Sequence, residues 1–106
     1  MAERTLIIAE PGSTPDGDRG NFSRIIALAS AIGCDVFKNQ WVSAPLELCR
    51  RRKAPEYTRA YARIAYALEL HEHLAAEAWA AGLAYACSVY LPGDVPLIAP
   101  FCHYLK

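Results

Sequence analysis

The sequence lacks three features that would assign a protein class directly: a net charge, a long apolar run and a nucleotide-binding motif. Eleven basic and eleven acidic residues give a formal net charge of zero. Such a chain has no overall field to attract nucleic acid or an acidic membrane surface. No apolar run approaches the roughly 18 residues that a membrane-spanning helix requires. Neither nucleic-acid binding nor membrane insertion is therefore expected.

The amino-terminal residues also lack the pattern of a secretory signal. The segment from Met1 to Arg4 leads directly into a predicted strand. It contains neither the apolar core nor the small-residue cleavage site of a signal peptide. A cytoplasmic location is expected.

Metal-binding and redox motifs are absent too. The four cysteines are scattered without a C-x-x-C pair, which excludes a zinc knuckle or a dithiol redox motif: Cys34, Cys49, Cys87 and Cys102. They are expected to be reduced, mostly buried side chains. His71 and His73 are two residues apart in a predicted helix, so their side chains point roughly 200° apart and cannot hold one ion together. Both are expected at the surface or its boundary.

The sequence does contain a regular alternation of strands and helices within 106 residues, the size of one domain. Apolar segments predict strands over residues 5–10, 35–40, 83–90 and 101–106. The first is apolar at both parities, which predicts a strand buried on both faces. Helical periodicity predicts helices over 22–32, 56–81 and 95–99, the second being one long helix or two in tandem. Residues 41–55 have no clean period and are expected to form an irregular excursion.

Alternation of this kind builds parallel βαβ units and predicts an α/β fold. Two arrangements fit, an open doubly wound sheet and a (β/α)8 barrel. Neither G-x-G-x-x-G nor G-x-x-x-x-G-K follows the first strand, so a nucleotide site has no support. A TIM barrel needs about 250 residues. The barrel interpretation therefore makes residues 1–106 its N-terminal half, with the first four strands.

Polar residues lie at the predicted carboxyl ends of the strands, where barrel sites form: Glu10, Lys38, Gln40, Ser88 and Lys106. In the second strand, Lys38 and Gln40 share one face while Phe37 points to the other, toward the helices. An anion could bind these amines and the amide. Two alternatives are open: an edge strand whose lysine reaches water, and a salt bridge between Glu10 and Lys38. The basic run 50–53 could bind a phosphate but is expected to be a solvated face.

The ordered set of these segments resembles one enzyme family. Ile8-Ala9-Glu10-Pro11-Gly12-Ser13, Asp16-Gly17-Asp18, Lys38-Asn39-Gln40, the Ser88 strand and Tyr104-Leu105-Lys106 are similar to the N-terminal part of the sialic acid (N-acetylneuraminate) synthases. The corresponding segments of that family read I-A-E-I-G, N-H-N-G, K-F-Q, S-T-P-F and K-I-A-S. The resemblance implies a TIM barrel that condenses phosphoenolpyruvate with N-acetylmannosamine or a related sugar. The products would be a nonulosonic acid and phosphate.

The resemblance also implies roles for single residues. Lys38 and Lys106 correspond to the lysines that hold the charged groups of phosphoenolpyruvate, with Gln40 and Ser88 as further substrate contacts. Glu10 corresponds to the acid near the reacting sugar or water and is the catalytic candidate. The family uses a divalent metal, Mn²⁺ or Mg²⁺, whose ligands come from later strands, so no metal ligand is expected in this chain.

The sequence departs from the family pattern at two places. Thr14-Pro15-Asp16-Gly17 replaces N-H-N-G, and Ser88-Val89-Tyr90-Leu91 replaces S-T-P-F. These changes leave the substrate open and support an alternative, a non-catalytic α/β module that binds an anionic metabolite or a protein partner. The chain alone is expected to be inactive. Unpaired strand edges and exposed apolar faces of a half barrel also predict self-association.

Overall fold

The fold is a four-stranded parallel sheet in a computed structural model that describes residues 4–106. The expectation about the amino-terminal segment falls mainly on residues 1–3, which lie outside the described residues. The strands lie side by side in chain order: β1 (Ile8–Ala9), β2 (Val36–Trp41), β3 (Ala84–Val89) and β4 (Tyr104–Leu105). All three neighbouring pairs are parallel.

Helices connect the strands. They are α1 (Arg19–Ala31), α2 (Pro45–Arg52), α3 (Thr58–Ala62), α4 (Leu68–Ala80) and α5 (Val95–Ile98). Short 3₁₀ turns lie at Pro55–Tyr57, Pro92–Asp94 and Ala99–Phe101. Helix α1 begins after Asp18, whose Oδ1 accepts a hydrogen bond from the Asn21 amide at 3.0 Å.

The strand order distinguishes the two arrangements that the sequence left open. A doubly wound sheet reverses its order at a switch point, whereas the strands of a barrel follow one another around the sheet. Here the order is β1-β2-β3-β4 without a reversal. The predicted α/β fold with the first four strands of a partial (β/α)8 barrel is therefore confirmed. The assignment of residues 1–106 as a domain, the N-terminal half of such a barrel, stays a prediction.

The main core lies between one face of the sheet and helices α1 and α4. Phe37 of β2 and Tyr85 of β3 are fully buried and contact apolar side chains of both helices, which are Phe22, Ile26, Ala29, Leu74 and Ala78. Period-two alternation places Phe37 on this face and Lys38 on the other, as predicted. The helices thus cover one face of the sheet and leave the opposite face to the candidate site.

A second apolar cluster lies beyond the carboxyl ends of β2 and β3. It joins Val42 and Leu48 to Ile64 and Leu91. Because α2 carries Leu48 into this cluster, the predicted irregular excursion over 41–55 is wrong. The helix was hidden because its eight residues include three arginines and bury only Leu48 and Cys49. The prediction for 56–81 is confirmed as two helices, α3 and α4, separated by residues 63–67.

The first strand differs from its prediction. Leu6, Ile7 and Ile8 are between 47% and 56% exposed, so a strand buried on both faces is wrong here. Strand β1 is an edge strand with β2 on one side, and its two-residue ladder leaves the neighbouring apolar side chains uncovered. Apolar residues at both odd and even positions indicate the composition of this strand and not its position in the sheet.

The cysteines are unpaired, as predicted, at Cys34, Cys49, Cys87 and Cys102. Burial raises the pKa of Cys87 well above its ordinary value and that of Cys102 to about 11. Both thiols are therefore protonated near neutral pH and serve as small core side chains.

Among residues 4–106, the structure contains no helix with the length and apolar character needed to cross a membrane. The cytoplasmic location stays a prediction.

Candidate anion-binding site

The candidate site lies on the sheet face opposite the main core, at the carboxyl ends of the strands. Strand pairing aligns Lys38 with Ala86 and Gln40 with Ser88. It aligns Ala86 in turn with Tyr104, which carries Lys106 to the level of Ser88. Because side chains two residues apart point to the same face, these residues line one surface.

Two hollows open on this surface, and Lys106 lines both. The polar hollow has a volume of ≈ 270 Å³ and is lined by Glu10, Gln40, Arg52, Ser88, Val89, Tyr90 and Lys106. The apolar hollow has a volume of ≈ 210 Å³ and is lined by Leu6, Ile8, Val36, Lys38, Ala86, Tyr104, Leu105 and Lys106. The structure thus brings together all five residues that the sequence singled out, four in the polar hollow and Lys38 in the adjoining one.

An ion pair joins Glu10 to Lys38. The Lys38 Nζ lies 3.2 Å from Glu10 Oε2, and the two side chains are 10% and 42% exposed. The lysine is therefore a buried cation whose carboxylate partner faces solvent. The salt bridge that the sequence left open is present, and the solvated edge is wrong for Lys38, because β2 has a neighbour on each side.

The backbone of Lys106 is fixed by strand pairing. Its carbonyl oxygen accepts a hydrogen bond from the Val89 amide at 2.7 Å, and its amide donates to the Cys87 carbonyl oxygen at 3.0 Å. These bonds extend the ladder beyond β4. They direct the Lys106 side chain to the surface that it shares with Gln40 and Ser88. This surface at the carboxyl ends of the strands, with Glu10, Lys38, Gln40, Ser88 and Lys106, is called the rim.

Partly buried hydrogen bonds hold the backbone of Gln40, and fully buried ones support them. Its amide donates to Asn39 Oδ1 at 3.0 Å, and its carbonyl oxygen accepts from the Tyr66 hydroxyl at 2.6 Å. Asn39 Nδ2 also donates to the Tyr85 hydroxyl at 3.1 Å, which lies 2.7 Å from His71 Nδ1. Burial raises the pKa of both tyrosines far above the ordinary value, so their hydroxyls stay neutral donors. The strand end that carries Gln40 is therefore held rigidly.

His71 corrects the expectation of a surface histidine. It is fully buried on the inner face of α4, among the rings of Trp41, Tyr66 and Tyr85. Its Nε2 is buried without a hydrogen-bond partner in the described part of the chain. A histidine was possible there because the Tyr85 hydroxyl satisfies Nδ1. His73 is exposed, in agreement with the expected divergence of the two side chains.

Burial lowers the pKa of His71 from 6.5 to about 4. Because the unfolded chain binds this proton first as the pH falls, stability present above about pH 6.5 should be lost progressively down to about pH 4. We expect the free energy of unfolding to fall by about 2 kcal/mol between pH 7 and pH 5, measured by urea denaturation. His71→Leu should flatten this dependence, whereas His73→Gln on the same helix should preserve it. An equal slope in wild type and His71→Leu would contradict the assignment.

Arg52 is the site residue that the sequence analysis missed. Glu47 pairs with Arg50 and Arg51, three and four residues along α2, which makes these two arginines the solvated face that was expected. Arg52 is five residues from Glu47 and points away, into the polar hollow. Its spacing from Glu47 was the sequence signal that could have distinguished Arg52 from the other basic residues of the run 50–53.

The family's divalent metal does not fit the residues of this chain. Within residues 4–106, no three His, Cys, Asp or Glu side chains are arranged to hold a metal ion. His71 is in the core, and His103 accepts a hydrogen bond from the Tyr85 amide at 3.1 Å and stacks on Trp79.

The apolar hollow belongs to a larger exposed surface. Leu6, Ile8, Tyr104 and Leu105 are each about half exposed on this sheet. Self-association stays a prediction, and this is the surface that it would require.

Comparison with known proteins supports the fold. No family model and no curated protein matches the sequence. One solved structure, an N-acetylneuraminic acid (sialic acid) synthetase from Leptospira borgpetersenii serovar Hardjo-bovis in complex with citrate, is similar with a TM-score of 0.83. The match covers 98% of this chain and 36% of that chain at 15% sequence identity. The resemblance to the N-terminal part of a sialic acid synthase barrel is thus confirmed as a likeness of fold.

Proposed function

We propose that the rim binds phosphoenolpyruvate and forms the phosphoenolpyruvate-binding part of the site for a sialic acid synthase-like condensation. The acceptor would be N-acetylmannosamine or a related amino sugar, giving a nonulosonic acid and phosphate. The observation that carries the proposal is the convergence of Lys38 and Lys106 on one surface with Gln40 and Ser88. The solved synthetase with citrate adds that a protein of this fold binds a small carboxylate.

The charges of the rim suit a small polyanion. Phosphoenolpyruvate carries a carboxylate and a phosphate, and both accept charge-assisted hydrogen bonds from ammonium groups. Lys38 is largely withdrawn from water, which strengthens its attraction for an anion relative to an exposed lysine. Gln40 and Ser88 add an amide and a hydroxyl at the same level of the sheet.

Glu10 has two parts in this proposal. Without ligand, its carboxylate neutralises the buried Lys38 ammonium. When the ligand is bound, its anionic group pairs with the Lys38 ammonium in place of Glu10. The Glu10 carboxylate then becomes available to the reacting sugar or water at the solvent side of the rim. A divalent metal of the kind that the family uses would need its ligands from outside residues 4–106.

Binding of phosphoenolpyruvate tests the proposal. Isothermal titration calorimetry should detect it with the wild-type chain, and Lys38→Met and Lys106→Met should each weaken it about tenfold or more, since each removes a charge-assisted contact. Lys53→Asn is the matched control. It removes the third lysine, which ends α2 in a left-handed conformation that asparagine tolerates, and should leave binding unchanged.

Either of two results would count against the proposal: no binding to the wild-type chain, or equal binding by wild type and both lysine variants. The chain alone is expected to form no nonulosonic acid from phosphoenolpyruvate, N-acetylmannosamine and Mn²⁺. Product formation by the purified chain would overturn the expected inactivity.

The second candidate is a non-catalytic module for an anionic metabolite. The observation that favours it is the pair of departures from the family pattern, at residues 14–17 and 88–91. Equal affinity for phosphoenolpyruvate, phosphate and pyruvate would favour this module, because a condensation site must recognise both ends of its substrate.

A further inference from the structure

The polar hollow contains an arginine to which neither the resemblance nor the proposed function assigns a role. The guanidinium carbon of Arg52 lies 5.3 Å from the centre of the Tyr90 ring and 5.8 Å from that of Tyr61. Its Nη1 donates a hydrogen bond to the Tyr61 hydroxyl at 3.1 Å. Two aromatic rings and one hydrogen bond therefore hold the guanidinium beside the hollow.

The carboxylates of α2 and of the polar hollow pair with other cations. Glu47 is taken by Arg50 and Arg51, and Glu10 pairs with Lys38. Within the part of the chain that the structure describes, no acidic side chain lies within ion-pair distance of Arg52. A guanidinium has five N–H donors, of which Tyr61 takes one. The remaining donors are available to a ligand in the hollow.

We propose that Arg52 binds the phosphate group of the anion that occupies this hollow. The guanidinium presents parallel N–H groups that match two oxygens of a phosphate, whereas a lysine acts as a point charge. The inference rests on the proposed function in that the ligand enters the same rim, but it concerns the phosphate and not the enolpyruvate.

The positions of the cations assign the two ends of the ligand. Lys38 is largely buried and lies in the apolar hollow, beside Ala86 and Tyr104, where the compact enolpyruvate end fits. Arg52 is exposed and lines the polar hollow. A leaving phosphate departs to solvent, so it belongs on the exposed side. Lys106 lines both hollows and can contact either end.

Tyr90 links this arrangement to a departure from the family pattern. At the carboxyl end of β3, the chain has Val89 and Tyr90 where the family has threonine and proline, so a threonine hydroxyl is missing. The Tyr90 ring instead faces Arg52, whose N–H groups can replace the lost donor. This chain would thus recognise phosphate through a different side chain at the same rim.

Three probes and two variants test the inference on the intact chain. Inorganic phosphate, phosphoenolpyruvate and pyruvate are titrated into wild type, Arg52→Gln and Arg51→Gln. Arg52→Gln should weaken phosphate and phosphoenolpyruvate about tenfold or more and change pyruvate binding by less than about twofold. Arg51→Gln, whose side chain pairs with Glu47 outside the hollow, should change none of the three.

The outcomes separate the inference from the proposed function. Phosphoenolpyruvate binding that depends on Lys38 but not on Arg52 would overturn the inference and leave the proposed function intact. Phosphate binding that depends on Arg52, without Lys38-dependent phosphoenolpyruvate binding, would support the inference and overturn the proposed function. If Arg52→Gln weakens the binding of phosphate and of pyruvate equally, Arg52 acts only through its overall charge, and the inference is overturned. The absence of any phosphate binding to the wild-type chain would also overturn it.

Discussion

Replacing Phe37 by alanine is expected to lower the free energy of unfolding by about 3–5 kcal/mol. Phe37 is fully buried, and its ring is stacked with that of Tyr85 at a centroid distance of 6.3 Å. It lies between the sheet and the helices α1 and α4, so the cavity left by its ring cannot be filled by solvent-facing side chains. A loss of this size is a large part of the roughly 5–15 kcal/mol that stabilises a typical domain.

Urea denaturation followed by tryptophan fluorescence measures this loss, since Trp41 is buried in the native chain. Leu28→Ala is the matched control. It also removes a large apolar side chain, but Leu28 is 61% exposed on α1, so the change should stay within about 0.5 kcal/mol. If Phe37→Ala costs no more than Leu28→Ala, the placement of the core between the sheet and these helices is wrong.

The second large effect concerns the Glu10–Lys38 pair, where stability and ligand binding should change in opposite directions. Glu10→Gln removes the charge opposite a buried ammonium, so the free energy of unfolding should fall by about 1–2 kcal/mol. The same substitution frees Lys38 for an anion, and phosphoenolpyruvate should bind about tenfold more tightly.

Lys38→Met provides the reciprocal test of the pair. It leaves a carboxylate that is 42% exposed and can be hydrated, so stability should be unchanged or higher, while phosphoenolpyruvate binding weakens about tenfold or more. Urea denaturation and calorimetry on the two variants measure both quantities. If Glu10→Gln binds phosphoenolpyruvate as weakly as Lys38→Met does, the Glu10 carboxylate itself takes part in holding the ligand.

The candidate rim could be predicted from the sequence because strand periodicity determines which side chains share a face. Once β2 and β3 were placed, alternation put Lys38, Gln40 and Ser88 on one surface and Phe37 and Tyr85 on the other. This depends on local geometry alone. The order of the strands stayed open, because crossover helices connect consecutive parallel strands both in a barrel and in a doubly wound sheet.

Features determined by distant partners could not be predicted in this way. His71 is buried because a hydroxyl from β3 and three aromatic rings surround it, and nothing near it in sequence indicates them. Strand β1 is exposed because of its position at a sheet edge. The role of Arg52 depends on Tyr61 and Tyr90, which belong to other segments.

The order of the strands has a consequence for folding during synthesis. Each strand pairs with the one made before it, so β1, α1 and β2 can assemble before the rest of the chain has left the ribosome. The β2–β3 pairing must wait for a longer intervening segment, which contains α2, α3 and α4. During that interval the free edge of β2 is open to other nascent chains. The stage between the second and third strands is therefore the step at which aggregation competes most directly with folding.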